Sequence, residues 1–181
     1  TVTKSKGNLL YEIDGKSAIE LYLKYLGKED KLNASNFKVF EELSMEYPFI
    51  VKRDENETVL KTPMNIDSLE KALVIDIPMP EGSKFWFTKP PEFDIVEEVI
   101  DKAAQLKQDA DENADALLVF SCAGRQPILG PLVTEENEGL AKVWQTPMAG
   151  FFTYGEFGRV LNGNQNFHSG ACCWVTLKEK A

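Results

Sequence analysis

The stretch DALLVFSCAGRQPILG, Asp115 to Gly130, decides how the chain is read. Its apolar block, Ala116 to Phe120, is short and continuous, which fits a buried strand better than an amphipathic helix. The strand is expected to stop at Ser121, where a hydroxyl, a thiol, two small residues and Arg125 follow in quick succession. The point where a buried strand gives way to a turn is where α/β proteins expose reactive groups. Ala123 and Gly124 permit a tight turn whose successive N–H groups would face an anion. Arg125 adds a planar fork that grips a carboxylate through two parallel hydrogen bonds. The plain alternative is a surface arginine after an ordinary turn.

The flanking sequence alternates helix and strand signals. Downstream, a helix is expected from about Thr134 to Trp144, then a glycine-rich strand region, TPMAGFFTYGEFG, a loop, VLNGNQNFHSG, and a final strand, ACCWVTL. Upstream, PPEFDIVEEVIDKAAQLKQ is the clearest helix, with Asp94 and Glu97 as caps and Phe93, Val96, Ile100 and Ala103 as its apolar stripe. The polar run DADENADA links it to the buried strand.

Nearer the N-terminus, NLLYEID reads as a strand closed by a turn at Gly15. Ser17 and Glu20 form a capping box at the head of a helix that Gly27 ends, with Ile19, Tyr22, Leu23 and Leu26 on one face. A second helix is expected over Ser35 to Met45. YPFIVKR, TVLKTP, ALVIDIP and KFWFTK then give four strands separated by turn residues, the pattern of an antiparallel meander. The sum is one α+β domain over residues 1–181, with a mixed, largely antiparallel sheet or sheets and helices packed on the faces.

Composition narrows the function. The 181 residues carry 29 acidic against 20 basic side chains, a formal net charge of −9, which repels phosphate backbones and anionic membranes. No nucleic-acid or membrane partner is expected. No apolar stretch approaches the roughly 20 residues that a bilayer crossing needs, and TVTKSKGNLLYEIDG has no apolar signal-peptide core. The missing initiator Met suggests a processed product or a piece of a longer chain. Three cysteines, two of them adjacent, read as reduced thiols and hence as a cytoplasmic protein.

Three sets of residues carry possible chemistry. Cys122 as nucleophile would need His168, the only histidine, as its base and Arg125 as a nearby positive field; against this, cysteine usually serves as a small buried hydrophobe. Tyr154 and Glu156, two apart on an extended segment, would face the same side and present a hydroxyl and a carboxylate to a ligand's ammonium group. Gly150, Gly155 and Gly158 interrupt the aromatics Phe151, Phe152, Tyr154 and Phe157, and glycine in a strand marks a bulge or a close approach. Cys172 and Cys173 look structural. Without a phosphate loop, dinucleotide fingerprint or paired metal ligands, no cofactor or metal is expected.

SCAGR with the following Leu129–Gly130, then AGFFTYGEFG, then the NFH segment resemble the C-terminal half of the FIST family, and YEIDGKSAIELYLKYLG and YPFIVKR match that family's order. The resemblance runs from about Leu10 to Phe167. It implies a sensory module of intracellular signal transduction that binds a small ligand, such as an amino acid or related carboxylate. The implied partners are an N-terminal FIST half and signalling output proteins. The motif positions carried over are Ser121, Cys122, Gly124, Arg125, Tyr154, Gly155, Glu156 and His168. Gln126 stands where family patterns commonly have a second basic residue. Two other readings stay open: a hydrolase or transferase working through Cys122 and His168, and a protein-interaction scaffold that binds through an exposed apolar patch.

Overall fold

The computed structural model describes residues 1–29, 43–53, 57–90, 92, 94–110, 113–159 and 163–179. The chain divides into two compact units, Thr1–Pro90 and Pro91–Ala181. Both combine helices with mostly antiparallel strands, so the fold is α+β as expected.

The first unit opens with β1 (Val2–Lys6), β2 (Leu9–Ile13) and the short β3 (Lys16–Ser17). Asp14 and Gly15 both adopt positive φ, 49° and 73°, the conformation of the tight hairpin turn that joins β2 to β3. Ser17 then caps α1 (Ala18–Tyr25), its hydroxyl accepting from the Glu20 N–H at 3.4 Å. Ala18, Ile19, Tyr22 and Leu23 form the buried face of that helix. Tyr22 meets Phe49 edge to face at a centroid distance of 5.3 Å, and its hydroxyl donates to the Tyr47 carbonyl at 2.9 Å.

β4 (Phe49–Lys52), β5 (Thr58–Lys61), β7 (Ala72–Ile75) and β8 (Phe85–Phe87) occupy the four expected strand positions. They do not form one meander. β4 pairs with β5 and β8, whereas β7 joins β2 in the N-terminal sheet. The difference comes from β6 (Pro63–Asp67), whose Pro63 and Asn65 read as turn residues. Pro63 is the first residue of its strand, where its missing N–H costs least. The Asp67 carboxylate closes the following turn by accepting from the N–H groups of Leu69 and Glu70 at 3.0 and 2.9 Å, which sends β7 back along β6. β1 was not expected from the sequence; its polar residues hide a buried Val2. Of the helix expected over Ser35 to Met45, residues 35–42 lie outside the described residues, and Leu43 and Ser44 are helical.

The second unit is built on β9 (Ala116–Cys122), which runs two residues beyond its expected end and so carries Ser121 and Cys122 within the strand. Before it, α2 spans Ile95–Ala110. After it come α3 (Arg125–Leu129), α4 (Leu132–Trp144) and β10 (Met148–Thr153). β10 pairs in parallel with β9, Met148 opposite Leu117 through Thr153 opposite Cys122 without a register break. The path β9–α3–α4–β10 is thus a βαβ crossover. β13 (Cys172–Leu177) pairs antiparallel on the other side of β9, giving the order β10-β9-β13. A hairpin of β11 (Glu156–Gly158) and β12 (Asn166–His168) lies between β10 and β13 in sequence. Ala103, Leu117, Val119, Leu140 and Trp144 form the core of this unit, with α2 and α4 on the side of Leu117 and Val119.

Candidate functional site

Because β9 and β10 are parallel and in register, their carboxyl ends fall together, and the SCAGR and TYGEFG segments meet. The Ala123 N–H donates to the Thr153 carbonyl at 2.7 Å, extending the ladder past the end of both strands. β13 contributes from the other side, where the Cys122 N–H donates to the Ala171 carbonyl at 2.9 Å.

At this junction the buried Glu156 carboxylate accepts from the Thr153 hydroxyl at 2.6 Å through Oε1, while Oε2 is buried and makes no hydrogen bond of good geometry among the described residues. Desolvation raises the Glu156 pKa above the usual carboxylate range. The Thr153 hydroxyl, the backbone of Ala171 and Gly155 and the Cys122 thiol work in the opposite direction and only partly offset it.

Arg125 is buried, unlike the surface arginine of the plain alternative, and its fork is occupied by groups of the protein itself. Nη2 and Nε meet the two carboxylate oxygens of Glu136 on α4, the Nε–Oε2 separation being 3.4 Å, and Nη1 donates to the Gly170 carbonyl at 3.0 Å. The guanidinium therefore ties α3, α4 and the start of β13 together. The anion turn is likewise changed. Gly124 sits at φ −62°, ψ −20°, in the ordinary helical region, and the Ala123 N–H is spent on Thr153.

Tyr154 and Glu156 do not share a face. Gly155 adopts a φ of 143°, which breaks the extended run, so Tyr154 is 95% exposed and Glu156 only 2%. A Cβ at Gly155 would collide with the Phe167 ring, so this glycine serves both the bend and the close approach.

His168 is engaged within the β11–β12 hairpin. His168 stands opposite Glu156 in the β11–β12 ladder and its Nε2 contacts the Gly158 carbonyl at 3.2 Å. Among the described residues no hydrogen bond links it to Cys122. Burial raises the Cys122 thiol pKa; the backbone of Gly124 and Gly170 and the nearby Arg125 charge lower it, but by less. The Cys172 and Cys173 thiols are pushed up to about 12 and about 11, chiefly by burial. All three thiols are therefore poor nucleophiles at neutral pH. Iodoacetamide alkylation of Cys122, followed by mass spectrometry across a pH series, should show an apparent pKa above the ordinary thiol value of about 8.5. Rapid modification at pH 7 would contradict this environment.

Beside the junction, on the helix side of the sheet, a cleft of about 180 Å³ is lined by Val119 and Ser121 of β9, Asn137 of α4, and Met148 to Phe152 of β10. At ~30 Å³ per water this is room for a compact molecule. Of the eight motif positions, Ser121 lines it; Arg125 and Glu156 stand at the junction, Tyr154 projects into solvent, and His168 belongs to the hairpin. The sequence reading missed Glu136 and Asn137, which lie in the acidic run TEENEG. Its helical spacing held a signal: Glu136, Gly139, Leu140 and Trp144 form the buried stripe of α4, and a carboxylate in an apolar stripe needs a buried partner.

A model of the FIST C domain matches residues 18–159. No curated protein and no solved structure matches the chain.

Proposed function

The chain belongs to the FIST C domain family, whose members are sensory domains of signal transduction, and on that premise we propose that it binds a compact small ligand in the cleft beside the β9–β10 junction. The observation that carries this reading is the convergence there of the two motif segments: Ser121 from SCAGR and Gly150, Phe151 and Phe152 from AGFFTYGEFG line one hollow. Its walls are apolar and aromatic with a few polar groups, the usual composition of a small-molecule site. The Asn137 amide and the buried Ser121 hydroxyl are the hydrogen-bonding side chains of its lining.

None of the lining side chains is charged, and Arg125 is committed to Glu136. An amino acid or related carboxylate, the class implied by the family resemblance, would find no cation on these walls. The favoured ligand is an uncharged molecule with an apolar body and one amide or hydroxyl group. Ligand binding would signal by favouring one arrangement of the junction over another. The raised thiol pKa values support binding over covalent catalysis.

A thermal-shift screen of the full chain against amino acids, organic acids and their amides and alcohols tests the proposal. A site occupied at 100 times Kd stabilises by about 2.7 kcal/mol, so the uncharged set should raise Tm by several degrees. Asn137→Ala should remove the shift. Stabilisation by carboxylates alone, or by none of these compounds, would overturn it.

A further inference from the structure

β10 ends the sheet as an edge strand: among the described residues it pairs with β9 alone. The ladder bonds at its two ends, from the Leu117 N–H to Pro147 O and from the Ala123 N–H to Thr153 O, fix which groups face β9. In a parallel ladder these alternate, so the N–H and C=O groups of Met148, Gly150 and Phe152 point outward, away from the sheet. Parallel pairs are normally buried on both faces. Here Ala149, Gly150, Phe151 and Phe152 are all exposed, Phe151 at 65%.

Edge strands are ordinarily blunted by charge, proline or a bulge. MAGFFT carries no charge and no proline, and its register is unbroken. The cleft described above runs alongside this strand, so a segment laid along the edge would find a hollow for one of its side chains.

From these observations we propose that the free edge of β10 is a docking site for an extended segment of a partner protein, one with alternating apolar residues and basic residues at its ends, which adds to the sheet as a fourth strand. Charge decides the class of occupant. From Pro91 onward the chain carries 14 acidic and 7 basic residues, and on α4 Glu135 and Glu138 are both exposed, Glu138 lying 3.9 Å from Lys142. This surface attracts a basic segment and repels a second copy of itself. The inference goes beyond small-ligand binding, because it uses the backbone edge of the strand, and it stands or falls separately from the compound screen.

The test is fluorescence anisotropy with the full chain and a labelled alternating valine–threonine peptide bearing two lysines at each end. Two controls accompany it: the same peptide with glutamates at its ends, and the lysine peptide N-methylated throughout its centre, which keeps side chains and charge but loses the backbone donors. The lysine peptide should bind, more weakly as salt rises, and both controls should bind at least tenfold more weakly. Phe152→Pro removes an outward N–H and should cost a similar factor, with circular dichroism confirming that the variant is folded. Equal binding of the N-methylated peptide would reduce the contact to charge and apolar attraction and overturn strand addition. No binding of the lysine peptide at millimolar concentration would do the same. A dimer in sedimentation that Phe152→Pro dissociates would assign the edge to a second copy instead.

Discussion

Arg125→Met should destabilise the chain by about 3–5 kcal/mol, because it leaves the Glu136 carboxylate buried with no opposing charge. Urea unfolding followed by circular dichroism measures this directly. Arg125→Lys should recover only part of the loss: the ammonium restores the charge but not the planar fork that reaches both carboxylate oxygens and the Gly170 carbonyl together. The informative control is the double replacement Arg125→Met with Glu136→Leu. Removing both charges avoids the uncompensated carboxylate, so the double variant should be more stable than Arg125→Met alone, with the orphaned Gly170 carbonyl as the remaining cost. A double variant as unstable as the single one would show that the pair does not govern the loss. If Arg125→Met left the urea midpoint unchanged, the buried pair itself would be in doubt.

Gly150→Ala should cost about 3 kcal/mol, the upper end of what overpacking produces. A Cβ at this position would run into the main chain of Val119, lying 2.8 Å from its carbonyl carbon. Backbone in the middle of a ladder cannot yield as a flexible side chain can, so the strain must open the β9–β10 pairing. By contrast, a Cβ at Gly139 would meet only the side chain of Ile100, which can rotate away at smaller cost. Comparing the urea midpoints of the two alanine variants checks the argument, and Gly139→Ala proving the more damaging would refute it. Gly150→Ala should also weaken any ligand of the cleft, since Gly150 forms part of its wall.

Local chemistry made much of this architecture legible in advance. Asp14–Gly15, the Ser17 cap and the apolar block after Asp115 are governed by neighbouring residues, and each forms the element that its sequence suggests. β6 escaped because Pro63 and Asn65 have turn preferences that pairing with β7 overrides. The meeting of SCAGR with TYGEFG follows from the parallel pairing of β9 with β10, which brings like ends together. What each polar group does there was not legible. Glu136 looks like one of several solvated acids until the fold turns its side of α4 inward toward Arg125. Tyr154 and Glu156 look alike in an extended run until Gly155 bends the chain between them. Tertiary context decides both.

The family match ends at residue 159, but β13 enters the sheet only at Cys172. A shortened chain cut at the border of the homologous region would strip β9 of one of its two neighbours and turn its central strand into an outer one. The Gly170 carbonyl that receives Arg125 would be lost with it. Sequence kinship and the extent of the sheet thus have different limits in this protein, and β13, which lies beyond the matched region, belongs with the strands that precede it.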